Sequence, residues 1–433
     1  MCLCLLTTSK YYTLKGKETI MKKILFVSPT GTLDNGAEIS IFYLMTTLVQ
    51  RGNKVINVAP DYPGVDKTSY KHKFDSSGIE TYFLPAGKWW WEDAPGGLPE
   101  NEEVRAFYYR ENIAQIRRLI RENNIELVVT NTVNMFQGAV AAACESIPHF
   151  WLIHEFPENE FAYYLDKIDF IEEYSEEIYS VTGLLNQNLN SLFQNQQIKN
   201  FIPYSEVDTS PLKKGEKLRF VSVGRLTERK NQMELLQAYY KSGKTDVELL
   251  LVGAQDEDYK SKCLRYIKKH NLKNVKLTGH LDQPWEALTD KDIFVSSSAM
   301  ETFGLVYIEA LLKGLPVVIS DNPGYESAYD IFQEGEKYHL GDIEELSEIL
   351  SRSLANFEAQ KENSINKIPE VRGKYSLEFV YKEFIESAEK VQGNSKKTLR
   401  HIENLVTLNT ERSNPPSSKI KRIVKKILLK IKK

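Results

Sequence analysis

Residues 220–231 read Phe220-Val221-Ser222-Val223-Gly224-Arg225-Leu226-Thr227-Glu228-Arg229-Lys230-Asn231. A short, nearly continuous apolar run ends in glycine, and a polar loop leads into the helical-period segment 231–240. Such a run is the length of a buried strand, so the unit reads as strand, loop, helix. The same unit recurs in both directions. Downstream, strands are predicted at 218–223, 247–252, 275–278, 293–296 and 316–320, with helices such as 231–240 and 307–313 between them. Upstream, strands are predicted at 23–28, 55–59, 79–84, 127–130, 149–153, 178–181 and 199–202, with helices at 37–50, 104–122 and 135–145. Apolar strands separated by helices indicate parallel sheets covered on both faces.

The alternation pauses at the polar, Pro- and Gly-containing stretch 208–216. An α/β chain of two doubly wound, Rossmann-like domains follows, one over 21–211 and one over 212–376. Ligands of open α/β sheets sit at the carboxyl ends of the strands, so two such domains facing each other make a cleft. Helical segments are predicted at 343–359 and 377–392, the second returning to the first domain, and 393–418 reads as a polar linker.

Composition narrows the function classes. The 433 residues are 42% hydrophobic and 27% charged, which is ordinary for a globular chain of two or three domains. A net charge of -3 argues against bulk nucleic-acid binding. The cysteines Cys2, Cys4, Cys144 and Cys263 have no metal-ligand company and read as free thiols. No run of about 20 apolar residues spans a membrane.

Two segments carry candidate chemistry. In the opening stretch, Gly224 lets a ligand approach the backbone, and Arg225 and Lys230 stand as cations near a helix start, which suits a diphosphate; a solvated strand-to-helix loop fits the same residues. Farther on, Met300-Glu301-Thr302-Phe303-Gly304-Leu305-Val306-Tyr307-Ile308-Glu309 follows the strand 293–296. Gly304 at a helix start leaves the amides of Phe303, Gly304 and Leu305 available to phosphate oxygens. Glu301 in the loop suits sugar hydroxyls, and Glu309 suits the diol of a ribose. The plainer alternative makes Glu301 a helix cap and Glu309 a solvent-facing residue.

Arg225 with Lys230, then Glu301 and Glu309, then Gly314-Leu315-Pro316-Val317-Val318, together resemble the donor domain of the retaining glycosyltransferases of family 4, which have the GT-B fold. The similarity covers nearly all of 21–392. It implies that Arg225 and Lys230 bind the donor diphosphate and neutralise the leaving group, so that no metal and no further cofactor is expected. It also implies that Glu301 holds the transferred sugar, that Glu309 holds the ribose, and that Gly253 and Gly279 line the base pocket. In the first domain, Asp34-Asn35-Gly36-Ala37-Glu38 resembles the family's glycine-rich loop, with Asn35 in place of the first glycine and expected to take over its left-handed backbone. His154 follows the strand 149–153, where the family often places a histidine near the reacting sugar. Asn322-Pro323-Gly324-Tyr325-Glu326 departs from the family's paired glycines, which keeps Glu326 out of the expected site.

The resemblance implies a nucleotide-diphosphate sugar as donor and a lipid-linked or cell-surface polysaccharide as acceptor. Residues 419–433 contain no acid and place Ile420, Ile423, Val424, Ile427, Leu428 and Ile431 on one helical face, with lysines and an arginine opposite. That pattern predicts a helix lying on an anionic membrane surface, hence a peripheral place on the inner, cytoplasmic face of the plasma membrane; a nucleic-acid arm is the alternative reading. Trp89-Trp90-Trp91 suits stacking on an acceptor sugar, contact with lipid, or partial burial in a long loop. Residues 1–20 differ in character from the strand that begins after Met21, and translation is expected to start at Met21.

Overall fold

Seven strands form the first sheet: β1 (Lys23–Val27), β2 (Lys54–Pro60), β3 (Glu80–Leu84), β4 (Leu127–Asn131), β5 (His149–Ile153), β6 (Glu177–Val181) and β7 (Lys199–Phe201). Their order is β3-β2-β1-β4-β5-β6-β7. The second sheet has β8 (Arg219–Val223), β9 (Glu248–Val252), β10 (Val275–Gly279), β11 (Asp292–Ser296), β12 (Val317–Ser320) and β13 (Glu336–Tyr338), in the order β10-β9-β8-β11-β12-β13. Every pairing within the two sheets is parallel. These facts come from a computed structural model that describes residues 21–62, 66–85, 102–393, 395 and 397. Residues 1–20, the Trp89-Trp90-Trp91 segment, most of 393–418 and the basic segment 419–433 lie outside the described residues.

Both sheets are doubly wound, as the alternation of apolar strands and helices requires. Strand order reverses between β1 and β4 in one domain and between β8 and β11 in the other, and these reversals open the crevices in which such sheets take ligands. One apolar cluster runs from the first sheet through the carboxy-terminal helices to the helix Leu305–Leu312 of the second domain; a second cluster fills the other face of the second sheet.

Among the elements not named from the periodicity, two carry little signal, and one named segment is divided. β13 is a three-residue edge strand, Glu-Lys-Tyr, with no apolar run to announce it. The helix Phe357–Lys374 contains Pro369 and buries only Phe357, Ser364 and Val371, so its spacing signal is thin. The segment predicted at 377–392 is two helices, Leu377–Val380 and Lys382–Lys390. They pack on the first domain: the Phe384 ring meets Phe150 edge-on at 5.8 Å, Lys199 Nζ donates to Ser387 Oγ at 3.0 Å, and Arg51 pairs with Glu389 at 2.8 Å. Among the described residues, no helix is long and apolar enough to cross a membrane.

At the amino ends of its central strands the second sheet is fastened by charge. Arg219 Nε and Nη2 each donate at 2.7 Å to the two oxygens of Asp292, which is fully buried, and Thr289 donates to the same carboxylate from its amide and its hydroxyl. Removing one partner of such a bidentate pair leaves a charge without its counterion in low dielectric. Asp292→Ala is therefore expected to destabilise the protein by about 3–5 kcal/mol, read as a lower urea midpoint by far-ultraviolet circular dichroism. A midpoint within error of the wild type would show that the pair is not structural.

Candidate active site

The site grows from the reversal between β8 and β11. Gly224 closes β8, and its carbonyl lies so near Gly253 that a Cβ on Gly253 would fall 2.2 Å from it. The Lys230 stem crosses over Gly224, its Cδ and Cε 3.6 Å from where a side chain there would begin. The lysine stem thus lies over Gly224, and its Nζ reaches Glu301 Oε1 at 2.5 Å. Arg229 Nη1 stands 3.9 Å from the other oxygen. Burial pushes the Glu301 carboxyl up, but Lys230 and Arg229 outweigh it and hold the group below its ordinary value, so Glu301 is an anion between two cations.

Lys230 precedes the helix Gln232–Lys241 rather than opening it, because Asn231 takes a left-handed backbone (φ 50°) at the cap. On the opposite side, β11 runs into Ser296, whose hydroxyl bonds the Tyr325 hydroxyl at 2.6 Å. Gly304 caps the helix Leu305–Leu312 with φ 88°, and a Cβ there would strike the Tyr325 ring at 2.2 Å, so both conformation and space demand glycine. The amides of Phe303, Gly304 and Leu305 find no protein acceptor among the described residues, and they lie within a few residues of Glu301. Neither backbone nor packing suffers from the departure at 322–326. Asn322 Oδ1 accepts from the amides of Gly324 and Tyr325, Pro323 begins the helix, and Gly324 fits under the Glu301 backbone, where a Cβ would be 2.5 Å away. Glu326 pairs with Lys337 at 2.8 Å, outside this cluster.

Glu309 is half-buried, in the middle of the helix, and both of its oxygens are engaged: Ser205 Oγ donates to Oε1 at 2.6 Å and Trp285 Nε1 to Oε2 at 3.0 Å. Burial raises its carboxyl above the ordinary value, and the two donors only partly offset this. Gly253 donates its amide to the Gly279 carbonyl at 3.0 Å, which joins the ends of β9 and β10; the Cβ direction of Gly279 meets open space.

The first domain faces this assembly. Gly36 approaches the Leu305 side chain so closely that a Cβ would lie 3.0 Å from it, and Asp34 meets Arg225 across the interface at 3.5 Å. Asn35 does not take the left-handed backbone expected of it. It is extended (φ -135°) and caps the helix Gly36–Gln50 by accepting the Glu38 amide at 3.0 Å, a task asparagine performs and glycine cannot. The buried Glu38 in turn accepts from the amides of Thr30 and Gly31 and fixes the loop. His154 is buried at the end of β5, with Nε2 2.8 Å from Asn131 Oδ1 and its ring edge-on to Phe201. Asn131 spends its Nδ2 on the Ala37 carbonyl at 3.2 Å, so its oxygen faces the imidazole: Nε2 carries the proton and Nδ1 is the acceptor. Burial pulls His154 down to about 3, which keeps it neutral.

The structure brings Gly224, Lys230, Glu301, Gly253 and the 303–305 amides together, sets Gly36 against them, and holds Arg225 toward Asp34. His154 stands on the first domain with Asn131, which is bonded to the residue after Gly36. Arg229, Asn131, Ser205 and Trp285 were missed. Arg229 adjoins a chosen lysine and Asn131 ends a strand beside the reversal, so both were open to discovery; nothing local marks Ser205 or Trp285.

Residues 205–368 match the family described as glycosyl transferases group 1. An uncharacterized glycosyltransferase of Methanocaldococcus jannaschii is 35% identical over 24% of this chain and 25% of its own length. A capsular polysaccharide biosynthesis glycosyltransferase, CapM of Staphylococcus aureus, is 28% identical over 37% of this chain and 43% of its own. The match thus spans less than half the length of either relative. Among solved structures, Anabaena HepE in complex with UDP and glucose superposes with a TM-score of 0.68 at 18% identity, over 86% of this chain and 100% of that one. Over residues 205–368 the chain is thus similar to the glycosyl transferases group 1 family, and the two sheets together have the GT-B fold.

Proposed function

We propose that the chain is a retaining glycosyltransferase that moves a sugar from a nucleotide-diphosphate donor, without a metal, to a lipid-linked or cell-surface polysaccharide acceptor. The observation that carries this reading is the convergence of Lys230, Glu301 and the amides of 303–305 at the carboxyl ends of β8 and β11. A diphosphate there meets Lys230, Arg225 and a helix start, all positive and all fixed before the reaction begins. Glu301 accepts from hydroxyls of the transferred sugar, and Glu309 from the ribose diol. The acceptor hydroxyl attacks the anomeric carbon on the face the diphosphate leaves, and the departing phosphate oxygen takes its proton. His154, neutral and with Nδ1 free of a proton, accepts a hydrogen bond from a sugar hydroxyl on the first-domain side. Another GT-B activity such as sugar-nucleotide epimerisation would keep the fold without this set of cations and carboxylates, and a donor-binding scaffold would keep both but release no nucleotide from a nucleotide sugar.

The acceptor class rests on two supports. CapM is named for capsular polysaccharide biosynthesis. The segment 419–433 has the composition of a helix held on an anionic leaflet, where each basic residue contributes on the order of 1 kcal/mol. On this reading the enzyme works from the cytoplasmic face of the plasma membrane.

Three outcomes follow. Arg225→Ala and Lys230→Ala should each lower turnover by about a hundredfold or more, measured as release of nucleotide from a panel of nucleotide sugars; near-normal turnover in both would sink the assignment. His154→Gln should lower kcat by about tenfold to a hundredfold while the kcat profile keeps its shape between pH 5 and 8, because the imidazole is already neutral there; a lost limb near 6.5 would contradict this. In co-sedimentation with liposomes containing phosphatidylglycerol, the full chain should pellet and a 1–417 protein should stay in solution, and equal partitioning would refute the membrane role.

A further inference from the structure

Both crossings of the chain between the two domains meet beneath Glu309. The chain leaves the first domain through Pro203, Tyr204 and Ser205, and it starts back at Tyr375. Tyr375 Oη accepts the Ser205 amide at 2.9 Å and donates to the Pro203 carbonyl at 2.9 Å, while its ring stacks on Tyr204 with centroids 5.0 Å apart. Ser205 is only 4% exposed, and its hydroxyl points at Glu309 Oε1. With Trp285 on Oε2, each oxygen of the carboxylate has one donor that fixes the plane of the group, and each retains a second lone pair. A vicinal diol needs those two remaining acceptor positions at a defined angle. A carboxylate free to rotate would offer them only part of the time.

We propose that Ser205 is a positioning residue for nucleotide recognition: its hydroxyl, braced through its amide by Tyr375, orients Glu309 toward the ribose diol of the donor. This rests on the assignment of Glu309 to the ribose made above. It adds that the selectivity of the second domain for a ribonucleotide depends on a residue from the joint between the domains, four residues after β7. The Tyr375 brace ties the same residue to the returning segment of the chain, so the joint and the ribose site share one rigid unit.

The test is binding of UDP, GDP and ADP to the full chain by calorimetry, followed by the 2′,3′-dideoxy counterpart of the tightest. The wild type should prefer the diol by about tenfold or more, the worth of one hydrogen bond to a charged group. Ser205→Ala should reduce that preference by about fivefold to tenfold and leave the affinity for the dideoxy nucleotide unchanged, and Ser205→Thr should restore it. Glu309→Gln should reduce it at least as far. An undiminished preference in Ser205→Ala, or an equal loss of affinity for both nucleotides, overturns the role of Ser205. If Glu309→Gln also keeps the full preference, the ribose assignment itself is wrong.

Discussion

The contact on which the site depends is the ion pair between Lys230 and Glu301. A buried carboxylate at the mouth of a sheet would take up a proton if left alone, and burial acts on Glu301 in that direction. Lys230 at one oxygen and Arg229 near the other reverse the outcome, so the loop after β11 carries a fixed anion. The lysine stem lies over Gly224, whose own backbone is packed so tightly on Gly253 that no side chain fits at 253. On the far side, Gly324 leaves room for the Glu301 backbone and Tyr325 fills the space beside Gly304. Glycine at 304 and 324 thus answers to close packing around the loop that carries Glu301.

The same economy governs the approach of the first domain. Its contribution is a helix start capped by Asn35, a glycine pressed against Leu305, and a surface pair from Asp34 to Arg225. The pair is exposed and worth little by itself. Its importance lies in place: Arg225 is held by a residue of the opposite domain at the spot where a diphosphate would compete for it. At the joint, Tyr375 and Ser205 do the corresponding work with buried hydrogen bonds rather than charge.

Much of this could be read in the sequence, for reasons particular to the elements. After a polar first residue, strands such as β5 and β9 are continuous apolar runs, as buried parallel strands are expected to be. Arg225, Lys230, Glu301 and Glu309 stood out because chemistry and order agreed. What the sequence hid was what depends on distant contact. Ser205 and Trp285 reach Glu309 from 104 and 24 residues away, with no local pattern to mark them. Asn35 was read as a substitute for a flexible glycine when it is a cap, because the same residue serves both purposes and only the backbone angle decides. The helix Phe357–Lys374 was hidden by Pro369 and by its sparse apolar face.

The central claim is that a nucleotide diphosphate seats on the helix start beside Glu301. Hydrogen–deuterium exchange of the full chain, with and without a nucleotide diphosphate, reads this at the amides concerned. Peptides covering Phe303, Gly304 and Leu305 should become protected on binding, together with those covering Gly224 to Lys230. Binding that protects other segments and leaves these two unchanged would contradict the account.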